Sequence, residues 1–238
     1  MNFLNKLEKK YRKYAIPNLM YYIVMLYGAG LVIQLFAPMA YWRFLSLDIG
    51  ALMHGQIWRL VTFIIYPPTM GTFVFDSVFF GIISLFLYYS LGVTLERVWG
   101  AFRFNVFFLM GMVGEILAAL VSYFVFHQNL YVTTGFLNFS LFLAFAICFP
   151  DVQFYLFMVI PVKAKWMAIA ESAVYVYSFL VGSASTRCEI VLSLANVILF
   201  FLMTRNYSRI NPKEIHRKKQ FKPVSYTHLR AHETDQYL

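Results

Sequence analysis

Long apolar runs alternate with short polar connections along most of the chain. We count six such runs, near 18–37, 73–95, 103–126, 134–150, 166–183 and 188–204. A helix that crosses a bilayer needs about 20 mostly apolar residues. The pattern therefore predicts six membrane-spanning helices in one domain, of which the fourth and fifth are short.

The composition supports this interpretation, because 61% of the 238 residues are hydrophobic and only 13% are charged. A water-soluble domain of this length needs far more polar surface. We therefore expect an all-α, multi-pass integral membrane protein. The two cysteines, Cys148 and Cys188, have neither disulfide nor metal-binding spacing, so the sequence predicts no metal site and no cofactor.

The net charge of +9 raises the alternative of a nucleic-acid-binding protein. The basic residues, however, cluster before the first run, after the last run, and in the connections that share a side with both termini. The opposite side carries only Arg43, Arg59 and Arg187. Cytoplasmic segments of membrane proteins carry an excess of Lys and Arg, so we expect cytoplasmic N- and C-termini and no nucleic-acid partner.

These features divide the chain into four parts. Residues 1–17 form a basic cytoplasmic N-terminus, 18–205 form the membrane domain, and 206–223 form a basic cytoplasmic segment. The last part, 224–238, breaks from the preceding composition and matches what one reading frame of a common sequencing adapter encodes. We interpret it as a translation artefact, with a disordered tail as the alternative, and leave it out of functional reasoning.

The connection between the first two runs, about 38–72, is too amphipathic for a plain loop. Its apolar residues include Trp42 and Trp58, and they alternate with charged side chains. A long connection of this kind lies in the membrane interface or dips into the membrane. We expect a long, membrane-embedded first loop. An ordinary pair of interfacial helices anchored by the two tryptophans explains the composition equally well.

Two short motifs occur in this connection and at the end of the second run. The first is GQIWRLVTFIIYPP at 55–68, which contains the pair Trp58 and Arg59. The second is YYSLGVTLERVWGAFRFNVFFLMG at 88–111, and its distinctive positions are Gly92, Leu95, Glu96, Gly100 and Arg103. Together they resemble the rhomboid-like superfamily, which includes rhomboid intramembrane serine proteases and their inactive relatives, the derlins. The resemblance implies a six-transmembrane-helix rhomboid-like bundle with an embedded first loop and cytoplasmic termini.

Glu96 interrupts this apolar sequence with a charge at the end of the second run. A carboxylate there can accept hydrogen bonds from amides at the N-terminus of the next helix, or pair with Arg97 or Arg103. In the family, the equivalent acid holds the tight turn between the second and third helices. We therefore predict a structural rather than a catalytic role for Glu96.

A rhomboid protease needs a serine on helix four that a histidine on helix six activates. The family writes this serine as G-x-S-G, whereas the corresponding region, 133–142, reads TTGFLNFSLF and contains only Ser140. The sixth run has no histidine, and Phe80 and Ser84 stand where the family has the histidine and asparagine that bind the oxyanion. The resemblance therefore implies a pseudoprotease without catalytic residues. The alternative is an active intramembrane serine protease with Ser140 as nucleophile.

Polar residues inside the predicted spans are candidates for binding, because burying them unpaired is costly. Glu115 lies deepest among the acids and is the best candidate, and Asn138 and Ser84 are further polar positions. A helix-packing hydrogen bond or a protonated carboxyl is the alternative interpretation of Glu115. The other acids in or near the spans are Asp76, Glu171 and Glu189. None of them shows catalytic spacing.

By analogy with inactive relatives, the resemblance implies that the protein binds transmembrane segments of client proteins, in membrane-protein quality control or trafficking. The expected partners are those segments and membrane lipid, and the expected location is the cell (cytoplasmic) membrane. Because one fold hosts many functions, this hypothesis has to be judged on the residues of the site.

Overall fold

A computed structural model describes residues 3–68, 74–129, 132–156 and 160–204 of the chain. In chain order, the elements are α1 (Phe3–Tyr11), α2 (Leu19–Phe36), α3 (Pro38–Ala40), α4 (Ile49–Met53), α5 (Arg59–Thr62), α6 (Val74–Trp99), α7 (Ala101–Phe126), α8 (Gly135–Cys148), β1 (Gln153–Leu156), β2 (Ile160–Lys163), α9 (Ala164–Val181) and α10 (Ala184–Thr204). The six longest helices, α2 and α6 to α10, coincide with the six apolar runs of the sequence.

Four segments are long and apolar enough to cross a membrane by length and composition: Leu19–Phe36, Phe79–Trp99, Ala101–Phe126 and Ala184–Thr204. The prediction of an all-α membrane protein is thereby confirmed. Helix α8 has 14 residues, fewer than a crossing usually needs, and α9 carries Lys165 and Glu171 within its 18 residues. The crossing of the membrane by α8 and α9 stays a prediction.

Helices α2 and α6 pack antiparallel, and glycines of α6 receive the side chains of α2. A Cβ atom at Gly92 would overlap Met20, and one at Gly81 would lie 2.6 Å from Leu31 Cδ2. Met20 and Leu31 are three helical turns apart and therefore lie on one face of α2. Leu95, which follows Gly92 in the same motif, is fully buried. Gly92 thus serves close helix packing.

Helix α7 packs against both α8 and α10. A Cβ atom at Gly111 would overlap Leu137 of α8 and lie 3.0 Å from Asn196 Nδ2 of α10. Toward the other end of α7, the hydroxyl groups of Ser122 and Ser185 form a hydrogen bond. Helices α7 and α10 are therefore antiparallel, and polar side chains occur along the interface between them.

The first connection folds into short helical segments and is tied to the chain before α8. Besides α3, α4 and α5, it contains a π-helical turn (Tyr41–Leu45) and a 3-10 turn (Phe63–Ile65). Leu47 and Val132 form a β-bridge, and Thr134 Oγ1 donates a 2.8 Å hydrogen bond to Tyr66 O. Its exposed apolar side chains include Met39, Phe44, Met53, Ile57, Trp58 and Val61. The depth of this connection in the membrane stays a prediction.

The connection between α8 and α9 is a β-hairpin, which the sequence pattern did not predict. Strands β1 and β2 pair antiparallel, with Gln153 opposite Lys163. Strands of four residues are too short for a clear alternation of apolar and polar positions. Asp151 Oδ1 forms ion pairs with Lys163 Nζ at 3.2 Å and with Lys165 Nζ at 3.4 Å. The hydrogen bond from Lys163, together with the charge of Lys165, holds the pKa of Asp151 below its usual value.

Candidate functional site

The Trp-Arg pair of the first connection caps the end of a helical turn. Where a helix ends, its last carbonyl groups have no partner within the helix. Here, four successive carbonyl oxygens at the end of the π-helical turn each accept a side-chain hydrogen bond. Arg59 donates to Arg43 O and Ser46 O, Trp58 donates to Phe44 O, and Thr62 donates to Leu45 O.

The guanidinium group of Arg59 lies inside the protein, with only 3% of the residue exposed. Its Nη1 atom lies 2.7 Å from Ser46 O, and its Nε atom lies 2.6 Å from Gln56 Oε1. The negative end of the helical turn compensates its charge. Trp58 and Arg59 therefore act as structural residues that fix the shape of the first connection.

Glu96 has a structural contact, but with a different helix from the one that the sequence suggested. Its Oε1 atom accepts a 2.7 Å hydrogen bond from the backbone N–H of Asn18, directly before α2. The acid therefore caps the start of α2 rather than α7, because antiparallel packing places the end of α6 beside the start of α2. The turn into α7 is made by Gly100, whose φ of +84° would strain a residue with a side chain.

Arg103 also has a different partner from the expected Glu96. Its Nε atom lies 2.9 Å from Glu8 Oε2, and its Nη2 atom donates a 3.1 Å hydrogen bond to Asn5 Oδ1. Glu8 and Asn5 lie on α1, and Leu4 of that helix is 1% exposed. These contacts hold α1 against the start of α7. The basic N-terminus thus contains a packed helix that the hydrophobic pattern missed, because polar residues dominate its nine positions.

Ser140, the nucleophile of the protease alternative, lies opposite an amide. Its Oγ atom donates a 2.7 Å hydrogen bond to Leu137 O, and Asn196 Nδ2 of α10 lies 3.5 Å from it. An amide nitrogen only donates, whereas a neutral imidazole can also accept a proton. The two histidines in the described ranges lie elsewhere: His54 in the first connection and His127 at the end of α7. Among the described residues, Ser140 therefore has no base within hydrogen-bond distance.

Asn138 belongs to a buried chain of hydrogen bonds. The Tyr27 hydroxyl donates to Asn138 Oδ1 at 3.0 Å, and Asn138 Nδ2 donates to Thr134 Oγ1 at 3.1 Å. Thr134 in turn contacts Tyr66 O. The chain links α2, α8 and the first connection, so the Asn138 amide holds the fold together. Ser84 lies half-buried on α6.

Glu115 is 4% exposed on α7 and interacts electrostatically with Glu189 on α10. Glu115 Oε2 and Asn196 Oδ1 are two of six buried side-chain oxygen atoms that have no hydrogen-bond partner among the described residues; the others belong to Gln34, Glu96, Asn105 and Thr204. Glu171 lies half-buried on α9, and the side chain of Asp76 falls outside the described residues. Within the described ranges, no group of three His, Cys, Asp or Glu side chains could hold a metal ion.

Two apolar grooves flank α10. One groove, of about 280 Å³, lies between α9 and α10 and is lined by Phe139, Tyr175, Val176, Val191 and Leu194, among others. The other groove, of about 400 Å³, lies between α7 and α10 and is lined by Val113, Gly114, Leu117, Leu192 and Asn196, among others. Helix α9 buries only Ala164 and Ala168, so most of its surface is available for contact.

Comparisons with known protein families, with curated proteins and with solved structures find no match to this chain. Its function is therefore inferred from the sequence motifs and from the geometry around α10.

Proposed function

We propose that this chain is a non-catalytic, rhomboid-like membrane protein that binds transmembrane segments of other membrane proteins. Its membrane domain has six spans, both termini face the cytoplasm, and the protein resides in the cell membrane. Its partners are client segments and membrane lipid, and it serves membrane-protein quality control or trafficking without a cofactor. The motifs around Trp58, Arg59 and Glu96 support the family assignment.

The groove between α9 and α10 is the observation that carries the binding role. It is apolar, with Val176 on one wall and Val191 on the other, and Phe139 of α8 contributes to its lining. The rings of Tyr175 and Phe139 pack at a tilt of 36° with centroids 4.0 Å apart, which gives the groove an aromatic surface. In lipid, helices associate through packing contacts of this kind. A client segment that enters sideways from the bilayer would exchange lipid contacts for contacts with this surface.

The pairing of Ser140 with Asn196 supports a role without catalysis. The family places its serine on the fourth helix and its histidine on the sixth, and here the fourth and sixth long helices, α8 and α10, bring a serine and an asparagine together at 3.5 Å. An asparagine in this position can orient a hydroxyl group but cannot take its proton. The protease alternative therefore lacks its general base within the described residues.

The short helix α8 supports selection of unstable client segments. Its 14 residues span about 21 Å at 1.5 Å per residue, against a hydrocarbon core of about 30 Å. A bilayer that meets so short a helix thins locally or the flanking residues adjust. Because most of α8 is buried in the bundle, lipid would meet this short part of the protein along α9, which buries only Ala164 and Ala168. Thin lipid there would favour transmembrane segments that are themselves short or marginally apolar.

Photocrosslinking in membranes tests this proposal. Photoreactive residues at Val176 and Val191 should capture client proteins, and one at Met25, an apolar position exposed on α2 away from the groove, should capture lipid only. Capture of lipid alone at all three positions would refute client binding. Equal protein capture at all three positions would refute the groove as the site.

A further inference from the structure

Four lysines lie at helical spacing on α1 and on the 3-10 turn that follows it (Arg12–Tyr14). They are Lys6, Lys9, Lys10 and Lys13, and each lies three or four residues from two of the others. Residues at this spacing share one face of a helix. All four side chains are exposed. We refer to these four residues as the lysine stripe.

The opposite face of α1 is fixed to the bundle. Leu4 is 1% exposed, and Glu8 Oε2 lies 2.9 Å from Arg103 Nε at the start of α7. Because each residue turns an α-helix by about 100°, Leu4 and Glu8 lie across the helix from the lysine stripe. The contacts of α1 with α7 therefore hold the lysine stripe on the outer surface of the protein.

The lysine stripe has no acidic partner among the described residues. Glu8 is the only acid before α2, and it pairs with Arg103. The other ion pairs in the described ranges join Lys163 and Lys165 to Asp151. Like charges three or four residues apart destabilise a helix. An anion that lies against the stripe would relieve this repulsion.

Contacts of α1 and of the start of α2 place the lysine stripe at one membrane surface. Asn18 N, directly before α2, donates to Glu96 near the end of α6, and Arg103 near the start of α7 binds α1. Helices α2, α6 and α7 contain three of the four segments that are long and apolar enough to cross a membrane. The stripe therefore lies where the ends of three such segments meet.

Aromatic and apolar side chains accompany the lysines at this end of the bundle. Tyr11 is 41% exposed, Tyr14 is 69% exposed and Ile16 is 48% exposed. Lys10 Nζ lies 5.3 Å from the centroid of the Tyr11 ring, and Lys13 Nζ lies 4.9 Å from that of Tyr14. Tyrosine is enriched where membrane proteins meet lipid headgroups. This combination favours a lipid surface over a soluble acidic partner.

From these observations we infer that the lysine stripe binds the phosphate groups of anionic phospholipids, with Tyr11 and Tyr14 at the level of the headgroups. Lysine ammonium groups donate charge-assisted hydrogen bonds to phosphate. Near an anionic membrane surface, each lysine strengthens the association by about fivefold. The inference goes beyond client binding, because it requires only that the protein lies in a membrane.

Photocrosslinking to lipid tests the inference. The full chain is reconstituted in liposomes of phosphatidylcholine that contain a smaller fraction of phosphatidylglycerol. A photoreactive residue at Tyr14 should capture phosphatidylglycerol at least about tenfold more often than its share of the lipid predicts. One at Met25, exposed on α2, should capture the two lipids in proportion to their shares. The preference at Tyr14 should fall as the salt concentration rises from about 0.1 M to about 1 M, because salt screens the charges.

Matched variants identify the groups responsible. The quadruple variant K6Q/K9Q/K10Q/K13Q should bring the preference at Tyr14 to within about twofold of the lipid composition, and glutamine keeps a helix propensity similar to that of lysine. The variant K6R/K9R/K10R/K13R should keep the preference, because it keeps the charges. The control K163Q/K165Q removes two lysines that Asp151 already pairs, so it should leave the preference unchanged.

Several results would overturn the inference. They are capture at Tyr14 in proportion to the lipid composition, a preference that survives K6Q/K9Q/K10Q/K13Q, and a preference that persists at about 1 M salt. An equal loss in K163Q/K165Q would overturn the assignment to the lysine stripe. Stripe-dependent binding of polyglutamate without a lipid preference would indicate an acidic protein partner instead. The salt dependence is measured on the chain without changes in the stripe, so it tests the charges even where a variant lowers Tm.

Discussion

Replacement of Arg59 by methionine should destabilise the protein through the first connection. The substitution keeps an unbranched apolar side chain but removes the donors to Arg43 O, Ser46 O and Gln56 Oε1. A hydrogen bond to a charged group contributes roughly 1.5–3 kcal/mol, and each buried carbonyl left without a donor costs about 1–3 kcal/mol. Because the charge itself is costly to bury, we expect a net loss of about 4 kcal/mol in the free energy of unfolding.

Thermal unfolding in detergent micelles measures this loss. For a chain of this size, about 4 kcal/mol corresponds to a decrease of roughly 8–16 °C in Tm. Arg43→Gln is the matched control, because Arg43 lies in the same connection with its side chain exposed and supplies only its backbone carbonyl to the cap. Equal Tm values for Arg59→Met and Arg43→Gln would refute the capping role of Arg59.

Three further substitutions test the packing, the cap and the hairpin. Gly92→Val should cost about 1–3 kcal/mol of unfolding free energy, because a Cβ atom at this position overlaps Met20 of the facing helix. Chemical denaturation should show no such loss for the control Gly28→Val. A loss of equal size in both variants would contradict this packing. Glu96→Ala should cost about 1 kcal/mol by leaving the Asn18 amide uncapped, and unchanged hydrogen exchange at the start of α2 would refute the contact. Asp151 has a lowered pKa, so the stability that its ionised form contributes is present above its usual pKa of 3.8 and disappears as the pH falls through the lower folded value. The Tm difference between wild type and Asp151→Asn should therefore persist from pH 7 to pH 5 and close below pH 3.8. A difference that stays constant to lower pH would exclude this ion pair as its source.

The positions of the long helices could be predicted from the sequence, because apolar runs of this length have few other conformations in a membrane protein. Contacts between distant segments could not. Glu96 was expected to bind amides at the start of the next helix, yet its partner is the Asn18 amide before α2, which depends on the antiparallel packing of α2 and α6. The partner of Arg103 likewise depends on a helix, α1, that carries no long apolar face.

The polar side chains around α10 show a second limit of sequence reasoning. Asn196 lies within an apolar run and belongs to no motif, so only its distance from Ser140 identifies it as a residue of the candidate site. The role of Tyr27 could not be predicted from the sequence either, because its hydroxyl group donates to Asn138 only after α2 and α8 have packed together. A polar residue within an apolar run was the available signal for both positions.

Covalent labelling of Ser140 tests the central claim most directly. The protein is reconstituted in liposomes with a transmembrane reporter substrate, exposed to a fluorophosphonate probe, and compared with Ser140→Ala and with an active serine protease. We expect no labelling and no cleavage, together with client capture at Val176 and Val191. Labelling at Ser140 with reporter cleavage that Ser140→Ala abolishes would show an active protease and contradict the account.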